Sequence, residues 1–374
     1  MRVPYVDIIA QYADQPRILE VISGVIARGQ FILGPEVEQF EQAFADFCGT
    51  RFAVGVSSGT DAIFLGLKAF GIGPGDEVIT VPNTFLSTVA AVATVGATPV
   101  LVDVGDDYNM DPARLEEAIT PRTRVVIPVH LTGRPARMKE IKDIASRHDL
   151  RILEDAAQAV GASLEGKLTG AWGDLGAFSL HPLKNLSVPG DGGVVTTDDA
   201  ALYEKLLLLR NHGLKNRNES VEFAYNSRLD TLKAAVALEM LKTVDRVTEI
   251  RNRNAAFYDE ELGEMSSQLT HPSRLDVLQE AFHTYVVQAE ARDELVSFLA
   301  ARGVETKIHY PIPVHLMAAA AGLGYGPGDF PVAERQASRI VSLPIHQHLI
   351  PEQLEYAADC LKAFYRTRSG PAEQ

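Results

Sequence analysis

Between residues 36 and 200 the chain alternates short β-rich runs with helical patterns, and this alternation limits the possible folds most strongly. The apolar run at residues 52–56 precedes a helical pattern at 60–70, and the run at 77–81 precedes another at 84–95. Strands that are apolar along their whole length are typical of a parallel sheet with both faces covered by helices. The sequence therefore predicts an α/β fold with a mostly parallel central sheet sandwiched by helices.

The pattern changes near Arg228, where a long helical stretch begins that runs from about residue 230 to 261. Beyond it lie a β-like run at residues 281–288 and two further helical patterns. Mixed elements without regular alternation are typical of an α+β arrangement. We therefore predict a large domain over residues 1–245 and a smaller C-terminal α+β domain over residues 246–374.

Charge and cysteine content bound the partners and the compartment. The chain has 374 residues, a formal net charge of −14 and two cysteines. An acidic surface disfavours nonspecific nucleic-acid binding, and two cysteines are too few for a disulfide framework. The longest apolar stretch, residues 89–102, is interrupted by Gly96 and Pro99 and is too short to span a bilayer. We expect a cytoplasmic protein with no nucleic-acid or membrane partner.

Four short segments with possible chemistry lie at predicted strand ends, where ligands bind in open α/β sheets. The first contains Ser58, Gly59 and Thr60, between a strand and a helix. A small turn that leads into a helix presents free backbone N–H groups and a positive dipole end, and both favour a phosphate. By itself this segment is more often an ordinary N-cap.

The second segment places Asp155 directly after an apolar strand, with Gln158 one turn further on. A carboxylate at this point could hold a protonated ring nitrogen. A helix cap explains the same residue about equally well.

The third segment places Lys184 among apolar residues, upstream of the glycine-rich turn at residues 190–193. A partly buried lysine has a lowered pKa and can act as a Schiff-base nucleophile. For a random lysine, an exposed loop position is the commoner explanation.

The fourth segment places Phe85 between a strand and a helix, where its ring could stack on a planar cofactor, although core packing is the commoner role. Phosphate cradle, carboxylate, lysine and stacking ring together are what pyridoxal 5'-phosphate (PLP) needs. The glycines at residues 71–75 follow a helix and precede a strand, the reverse of a dinucleotide loop, which disfavours a nicotinamide oxidoreductase. The sequence shows no zinc-ligand spacing, so no metal is expected.

Motifs spread over nearly the whole chain resemble the DegT/DnrJ/StrS sugar aminotransferases, a family of fold type I PLP enzymes. The matching segments, in chain order, lie at residues 33–37, 58–62, 73–78, 128–131, 154–158, 181–186, 210–213, 225–230 and 310–316. The resemblance implies the PLP-dependent transferase fold type I, a large domain followed by a smaller one.

The resemblance also implies roles for the cofactor residues. Lys184 would form the Schiff base and shuttle the proton between substrate carbon and cofactor. Asp155 would keep the pyridine nitrogen protonated, and Gln158 would hydrogen-bond the ring oxygen. Phe85 would occupy the stacking position. The phosphate would be bound by Ser58, Gly59, Thr60 and Ser179.

The same resemblance implies a homodimer with shared active sites, in which Asn226 reaches the phosphate of the partner's cofactor. His181, Tyr310 and His315 would line the substrate side. The implied reaction is ping-pong: an amino acid, most often glutamate, donates its amino group, and a nucleotide-diphosphate-linked keto-sugar receives it. Sugar dehydratases of this family typically have histidine in place of the lysine, and this chain has Lys184.

Two other functions stay open at this point. One is amino transfer to a different ketone, such as a keto-cyclitol or a free keto-sugar acid. The other is a PLP-binding regulator without catalysis, which Lys184, Asp155 and Gln158 disfavour.

Overall fold

The strands follow the predicted alternation. The computed structural model describes residues 1–265 and 267–368. Its strands are β1 (Phe52–Val56), β2 (Glu77–Thr80), β3 (Thr98–Leu101), β4 (Thr123–Val126), β5 (Arg151–Asp155), β6 (Ser163–Leu164), β7 (Lys167–Leu168), β8 (Leu175–Ser179), β9 (Gly193–Thr197), β10 (Leu214–Asn216), β11 (Glu219–Ser220), β12 (Leu269–Thr270), β13 (Leu278–Gln279), β14 (Tyr285–Ala289) and β15 (Ile340–Leu343).

The helices lie between these strands and after them. They are α1 (Ile8–Gln11), α2 (Gln15–Arg28), α3 (Pro35–Cys48), α4 (Gly59–Ala69), α5 (Leu86–Thr94), α6 (Pro112–Glu117), α7 (Met138–Arg147), α8 (Ala200–Arg210), α9 (Thr231–Leu241), α10 (Val244–Leu262), α11 (Arg292–Ala301), α12 (Pro331–Arg339) and α13 (Pro351–Arg368).

The central sheet has seven strands in the order β1-β9-β8-β5-β4-β2-β3. β9 is antiparallel to both of its neighbours, whereas the other six strands run in one direction. The predicted mostly parallel sheet is therefore confirmed. The carboxyl ends of β1, β2, β5 and β8 therefore all lie along the same edge of the sheet, and the candidate site lies at this edge.

Helices cover both faces of this sheet because apolar residues point alternately to each side. On β5, Leu153 packs in a core with α4, α5 and α8, whereas Ile152 packs in a core on the other face with α7. On β1, Ala53 packs on that second face with α3 and α9. The two faces are thus buried by different helices, as a sheet without alternating polar positions requires.

The C-terminal third forms a separate core around the antiparallel sheet β12-β14-β15 and the helices α10, α11 and α13. Val3, near the start of the chain, belongs to this core and pairs with Val304. The N-terminal segment therefore packs on the C-terminal part of the molecule. The domain boundary near residue 245 stays a prediction.

Two sequence expectations on local structure are wrong. The stretch from 230 to 261 is two helices, α9 and α10, because the chain turns at residues 242–243, where the hydroxyl of Thr243 hydrogen-bonds the carbonyl of Met240 at 2.8 Å. The strand expected at residues 125–129 ends at Val126, so Pro128 lies beyond it and removes no donor from the ladder.

Within residues 1–265 and 267–368, no helix is long and apolar enough to cross a membrane. The cytoplasmic location stays a prediction.

Candidate active site

The phosphate cradle predicted at the start of α4 lies against the end of β8. Ser58 caps α4, its Oγ accepting from the backbone N–H of Asp61 at 3.1 Å. A Cβ at Gly59 would lie 2.7 Å from the Cβ of Ser179, so only glycine allows the helix to begin this close to the strand. Thr60 donates to the hydroxyl of Ser87 at 2.9 Å, which connects the starts of α4 and α5. The cradle has N–H groups, hydroxyls and a positive dipole end, all suited to a phosphate.

Asp155 ends β5 with a carboxylate that is only 6% exposed. Its Oδ2 accepts from Thr88 Oγ1 at 2.7 Å, and its Oδ1 accepts from the Ala157 N–H at 3.2 Å. Thr88 in turn shares a hydrogen bond of 2.8 Å with Thr84. A carboxylate has about four acceptor positions, so two of them stay open for a further donor.

Lys184 follows β8 in a loop with fixed backbone. Its N–H donates to the carbonyl of His181 at 2.8 Å, and the neighbouring Asn185 donates from its side chain to the carbonyl of Ala281 at 2.7 Å. Burial lowers the pKa of Lys184 to about 8, partly opposed by the negative charge of Asp155. A sizeable fraction of the amine is thus neutral near physiological pH, which suits a nucleophile. The exposed-loop explanation is wrong for this lysine.

Gln158, Tyr310 and Phe85 form a wall beside these groups. The Oε1 of Gln158 accepts from the Thr132 N–H at 2.8 Å, and its Nε2 donates to the Tyr310 hydroxyl at 3.2 Å. The rings of Phe85 and Tyr310 lie 5.6 Å apart. Phe85 is 55% exposed at the N-cap of α5, so the core-packing explanation does not hold for it.

Of the three predicted substrate residues, His181 and Tyr310 differ from His315 in their surroundings. His181 is exposed, and burial raises the pKa of Tyr310 to about 12, which keeps its hydroxyl protonated. His315 is a correction: its side chain is fully buried, hydrogen-bonded to Glu334 at 3.1 Å and packed edge-on against Phe330. A ring enclosed in this way offers no surface to a substrate.

Asn226 lies on the exposed segment that follows the hairpin β10–β11. Its backbone pairs with Asn211 in an isolated bridge. Its role toward a partner's cofactor stays a prediction.

Sequence reasoning missed Thr88 and His309. Thr88 lies on the first turn of α5, three residues after Phe85, and a hydroxyl one turn into a helix at a strand end could have suggested it. His309 precedes Tyr310 and is held by Ser342 through its Nδ1 at 2.9 Å. Burial and the nearby positive charges of Lys184 and Lys307 lower the pKa of His309 to about 4, so its ring is neutral.

The donor set fits PLP. The glycine at position 59 lets the start of α4 lie against Ser179, and that helix start offers N–H donors. Asp155 has open acceptor positions, and Lys184 has an amine of lowered pKa. An anionic cradle, a partner for a pyridinium and an amine for an aldehyde are what this cofactor requires. Fold and site together define a PLP-dependent aminotransferase.

Comparison with known proteins places the chain within that class. It belongs to the DegT/DnrJ/EryC1/StrS aminotransferase family, whose sequence model matches residues 13–362. It is 43% identical to dTDP-3-amino-3,4,6-trideoxy-alpha-D-glucose transaminase of Streptomyces venezuelae over 96% of each chain. It is 42% identical to UDP-N-acetyl-3-dehydro-alpha-D-glucosamine 3-aminotransferase of Acidithiobacillus ferrooxidans, over 96% of this chain and 97% of that protein.

The fold also matches solved structures. The crystal structure of S. venezuelae DesV in complex with a ketimine intermediate superposes with a TM-score of 0.95 at 43% identity, covering 97% of this chain and 98% of that one. Other solved relatives hold PLP or its amine form, pyridoxamine phosphate. The predicted fold, family and cofactor are confirmed.

Proposed function

We propose that this enzyme moves an amino group from an amino acid, most simply glutamate, to a keto-sugar linked to a nucleotide diphosphate. One observation carries the proposal: the half-buried Lys184, whose amine has a lowered pKa, lies near the partly open carboxylate of Asp155 at the sheet edge where the helix α4 begins. The relatives named above support the substrate class, and both of their names place the reacting position at carbon 3 of the sugar.

Lys184, Asp155 and Gln158 would each have a separate role in the reaction. Lys184 would hold the cofactor through its Nζ, and its amine would take up and return the proton of the donor's α-carbon. Asp155, fixed by Thr88, would keep the ring nitrogen of the cofactor protonated. Gln158 is oriented by Thr132 and Tyr310 so that its amide faces the site in one way only. When bound, PLP supplies an electron sink for the bond-breaking at the α-carbon.

His309 and Tyr310 favour a substrate that is rich in hydroxyl groups. His309 is neutral and Tyr310 is a protonated phenol at physiological pH. Neutral imidazole and phenol groups both donate and accept, which suits sugar hydroxyls better than a second carboxylate. This argues for a keto-sugar over a free keto-sugar acid, whereas a keto-cyclitol stays an alternative.

A homodimer is part of the proposal. Large apolar side chains are exposed on the N-terminal segments and after the hairpin β10–β11, among them Ile9 at 84% and Phe223 at 106%. Exposed apolar surface on this scale is typical of a protein–protein interface. Asn226 lies on the same segment as Phe223, exposed as a residue must be to serve a neighbouring chain. Analytical ultracentrifugation of wild type and Phe223→Asp tests the dimer, with a shift toward monomer expected in the variant.

The test of activity is a half-reaction followed by a substrate comparison. We expect the protein with PLP to show the absorption band of a lysine-bound cofactor, and glutamate to discharge that band while 2-oxoglutarate forms. Lys184→Ala should lose both, and Lys142→Ala, an exposed lysine on α7, should keep both. The pyridoxamine form is then mixed with dTDP- and UDP-linked 3-keto-sugars and with a keto-inositol.

Each result has a meaning. Return of the band with a nucleotide-linked keto-sugar supports the proposal, and return with keto-inositol alone replaces the substrate class. A band that no amino acid discharges would support a cofactor-binding regulator. A protein that shows no lysine-dependent band would remove Lys184 from its proposed role.

A further inference from the structure

The first residues of the chain are attached to the C-terminal part of the molecule, next to His309. The N–H of Val3 donates to the carbonyl of Gly303 at 2.8 Å, and the N–H of Tyr5 donates to Glu305 at 3.1 Å. The ring of Tyr5 stacks on His309 with 5.7 Å between centroids. The start of this segment is therefore anchored next to His309.

The same segment then reaches the lysine loop on the large domain. Nε2 of Gln11, the last residue of α1, donates to the backbone carbonyl of Lys184 at 3.3 Å and to the hydroxyl of Ser187. The hydroxyl of Tyr12 hydrogen-bonds the same Ser187 hydroxyl at 3.0 Å. Ser187 is completely buried, so its hydroxyl depends on these two side chains for partners.

α1 does not sit here for the sake of its own packing. It has four residues, none of them buried, and Ile9 on it is 84% exposed. A helix of this length is not stable alone, and within one chain its polar contacts accompany no buried apolar face. The contacts from Gln11 and Tyr12 thus act on the loop they reach more than on the helix they come from.

The lysine loop is held at several points, and the contact from Gln11 is the one made at the carbonyl of Lys184 itself. Backbone hydrogen bonds run from Val188 to Leu180 at 2.9 Å and from Lys184 to His181 at 2.8 Å, and Asn185 donates to the carbonyl of Ala281 at 2.7 Å. The carbonyl of Lys184 lies outside any strand or helix, and Gln11 is the side chain that donates to it. Fixing that peptide restricts where the lysine side chain can begin, and preorganised groups bind at lower entropic cost.

We propose that Gln11 and Tyr12 are positioning residues, which hold the peptide of Lys184 and the buried Ser187 hydroxyl so that the lysine amine is directed at the cofactor. The proposal rests on the proposed role of Lys184 as the cofactor-binding lysine. The segment 1–14 thus connects the C-terminal part of the molecule with the lysine loop.

A double-mutant cycle with Lys184 tests this, because PLP still binds without a covalent bond when the lysine is absent. The dissociation constant of PLP is measured by equilibrium dialysis for wild type, Gln11→Ala, Lys184→Ala and the double variant. We expect Gln11→Ala to weaken PLP by about fivefold in the wild-type background, the effect of one or two lost hydrogen bonds. We expect no further weakening in the Lys184→Ala background.

Matched variants separate positioning from general loosening. Gln353→Ala removes a side-chain hydrogen bond of 3.0 Å to the carbonyl of Arg2, at the start of the same segment, and should leave PLP affinity unchanged. Ser187→Ala should reproduce part of the Gln11→Ala effect, since it removes the shared acceptor. Ser187→Ala also gives a second route should Gln11→Ala fold poorly, which its thermal unfolding midpoint would reveal.

Two results would overturn the proposal while leaving the proposed function intact: equal weakening by Gln11→Ala in both backgrounds, or no weakening by either Gln11→Ala or Ser187→Ala. If Lys184→Ala binds PLP as tightly as wild type, the role of Lys184 itself fails, and the positioning proposal fails with it.

Discussion

Glu154 and Asp155 are consecutive buried acids at the end of β5, and they differ in how many hydrogen bonds they accept. Glu154 accepts four hydrogen bonds: from the N–H groups of Gly170, Trp172 and Gly173 at 2.7–2.9 Å, and from His130 Nε2 at 2.8 Å. His130 Nδ1 accepts from the Ala136 N–H, so its Nε2 carries the proton that Glu154 receives. Asp155 has only two donors, from Thr88 and Ala157.

The difference teaches how to separate a structural acid from a functional one. Successive residues of a strand point to opposite faces, so the two carboxylates enter different surroundings although they are adjacent in the sequence. Glu154 has filled its acceptor positions and holds the loop at residues 170–173 in place. Asp155 keeps open positions at the edge of the sheet where we propose that the cofactor binds. Open acceptor positions on a buried acid suit a donor brought by a ligand, as the proposed role of Asp155 requires.

The largest effect should come from Asp155→Ala. We expect amino transfer to fall by about a thousandfold, the scale of losing a preorganised electrostatic partner, while the free energy of unfolding without cofactor changes by less than about 1 kcal/mol. Stopped-flow half-reactions and urea unfolding measure the two quantities. A large loss of stability instead would show that Asp155 is a structural acid like its neighbour.

Glu154→Ala should have the reverse profile. The substitution leaves three buried N–H groups and one imidazole without an acceptor, so we expect the free energy of unfolding to fall by about 3 kcal/mol or more. Urea unfolding of the cofactor-free protein measures it. An unchanged midpoint would mean that water replaces the carboxylate, and the contrast between the two acids would then disappear.

The pH dependence of cofactor capture should follow Lys184, whose pKa is about 8. Only the neutral amine attacks, so the capture rate should rise by about tenfold between pH 7 and pH 9. The folded-state pKa lies below the ordinary value of 10.5, so Lys184 costs stability below pH 8, and this cost declines as the pH rises toward 10.5. Stopped-flow absorbance over this range measures the rate.

The same profile compares the two acids directly. The charge of Asp155 raises the pKa of Lys184 against the effect of burial. Asp155→Asn should therefore move the midpoint of the rate profile to lower pH, while Glu154→Gln, the matched control, should leave it in place. A shift of equal size in both variants would contradict a specific coupling between Lys184 and Asp155.

The smallest effect is expected from Thr88→Val, which keeps the shape of the side chain and removes the hydroxyl that donates to Asp155 at 2.7 Å. We expect amino transfer to slow by about fivefold, the scale of one hydrogen bond worth about 1 kcal/mol. Single-turnover rates with glutamate measure it. A rate equal to wild type would show that Thr88 does not orient the carboxylate.

Much of the site could be predicted because it depends on local sequence order. Ser58, Asp155 and Ser179 each follow or end an apolar strand, and parallel strands bring their carboxyl ends to one edge. Lys184 could be singled out by its apolar neighbours. For these residues, position relative to a strand end is enough to place the side chain.

Other residues could not be predicted because their surroundings come from distant parts of the chain. His315 lies in a segment that resembles a substrate loop, yet Glu334 and Phe330 enclose its ring. The contact from Gln11 to the peptide of Lys184 joins residues 173 positions apart. The spacing of residues along the sequence does not predict such contacts.

By itself, the sequence determined the alternation of strands and helices and the residue types at the strand ends, because backbone periodicity and apolar patterning act within a few residues. Tertiary structure alone decided which of two adjacent acids is saturated with donors, how far burial lowers the pKa of Lys184, and which side chains hold the lysine loop. Those properties depend on desolvation and on hydrogen-bond partners supplied by other elements, and these are set only when the chain has folded.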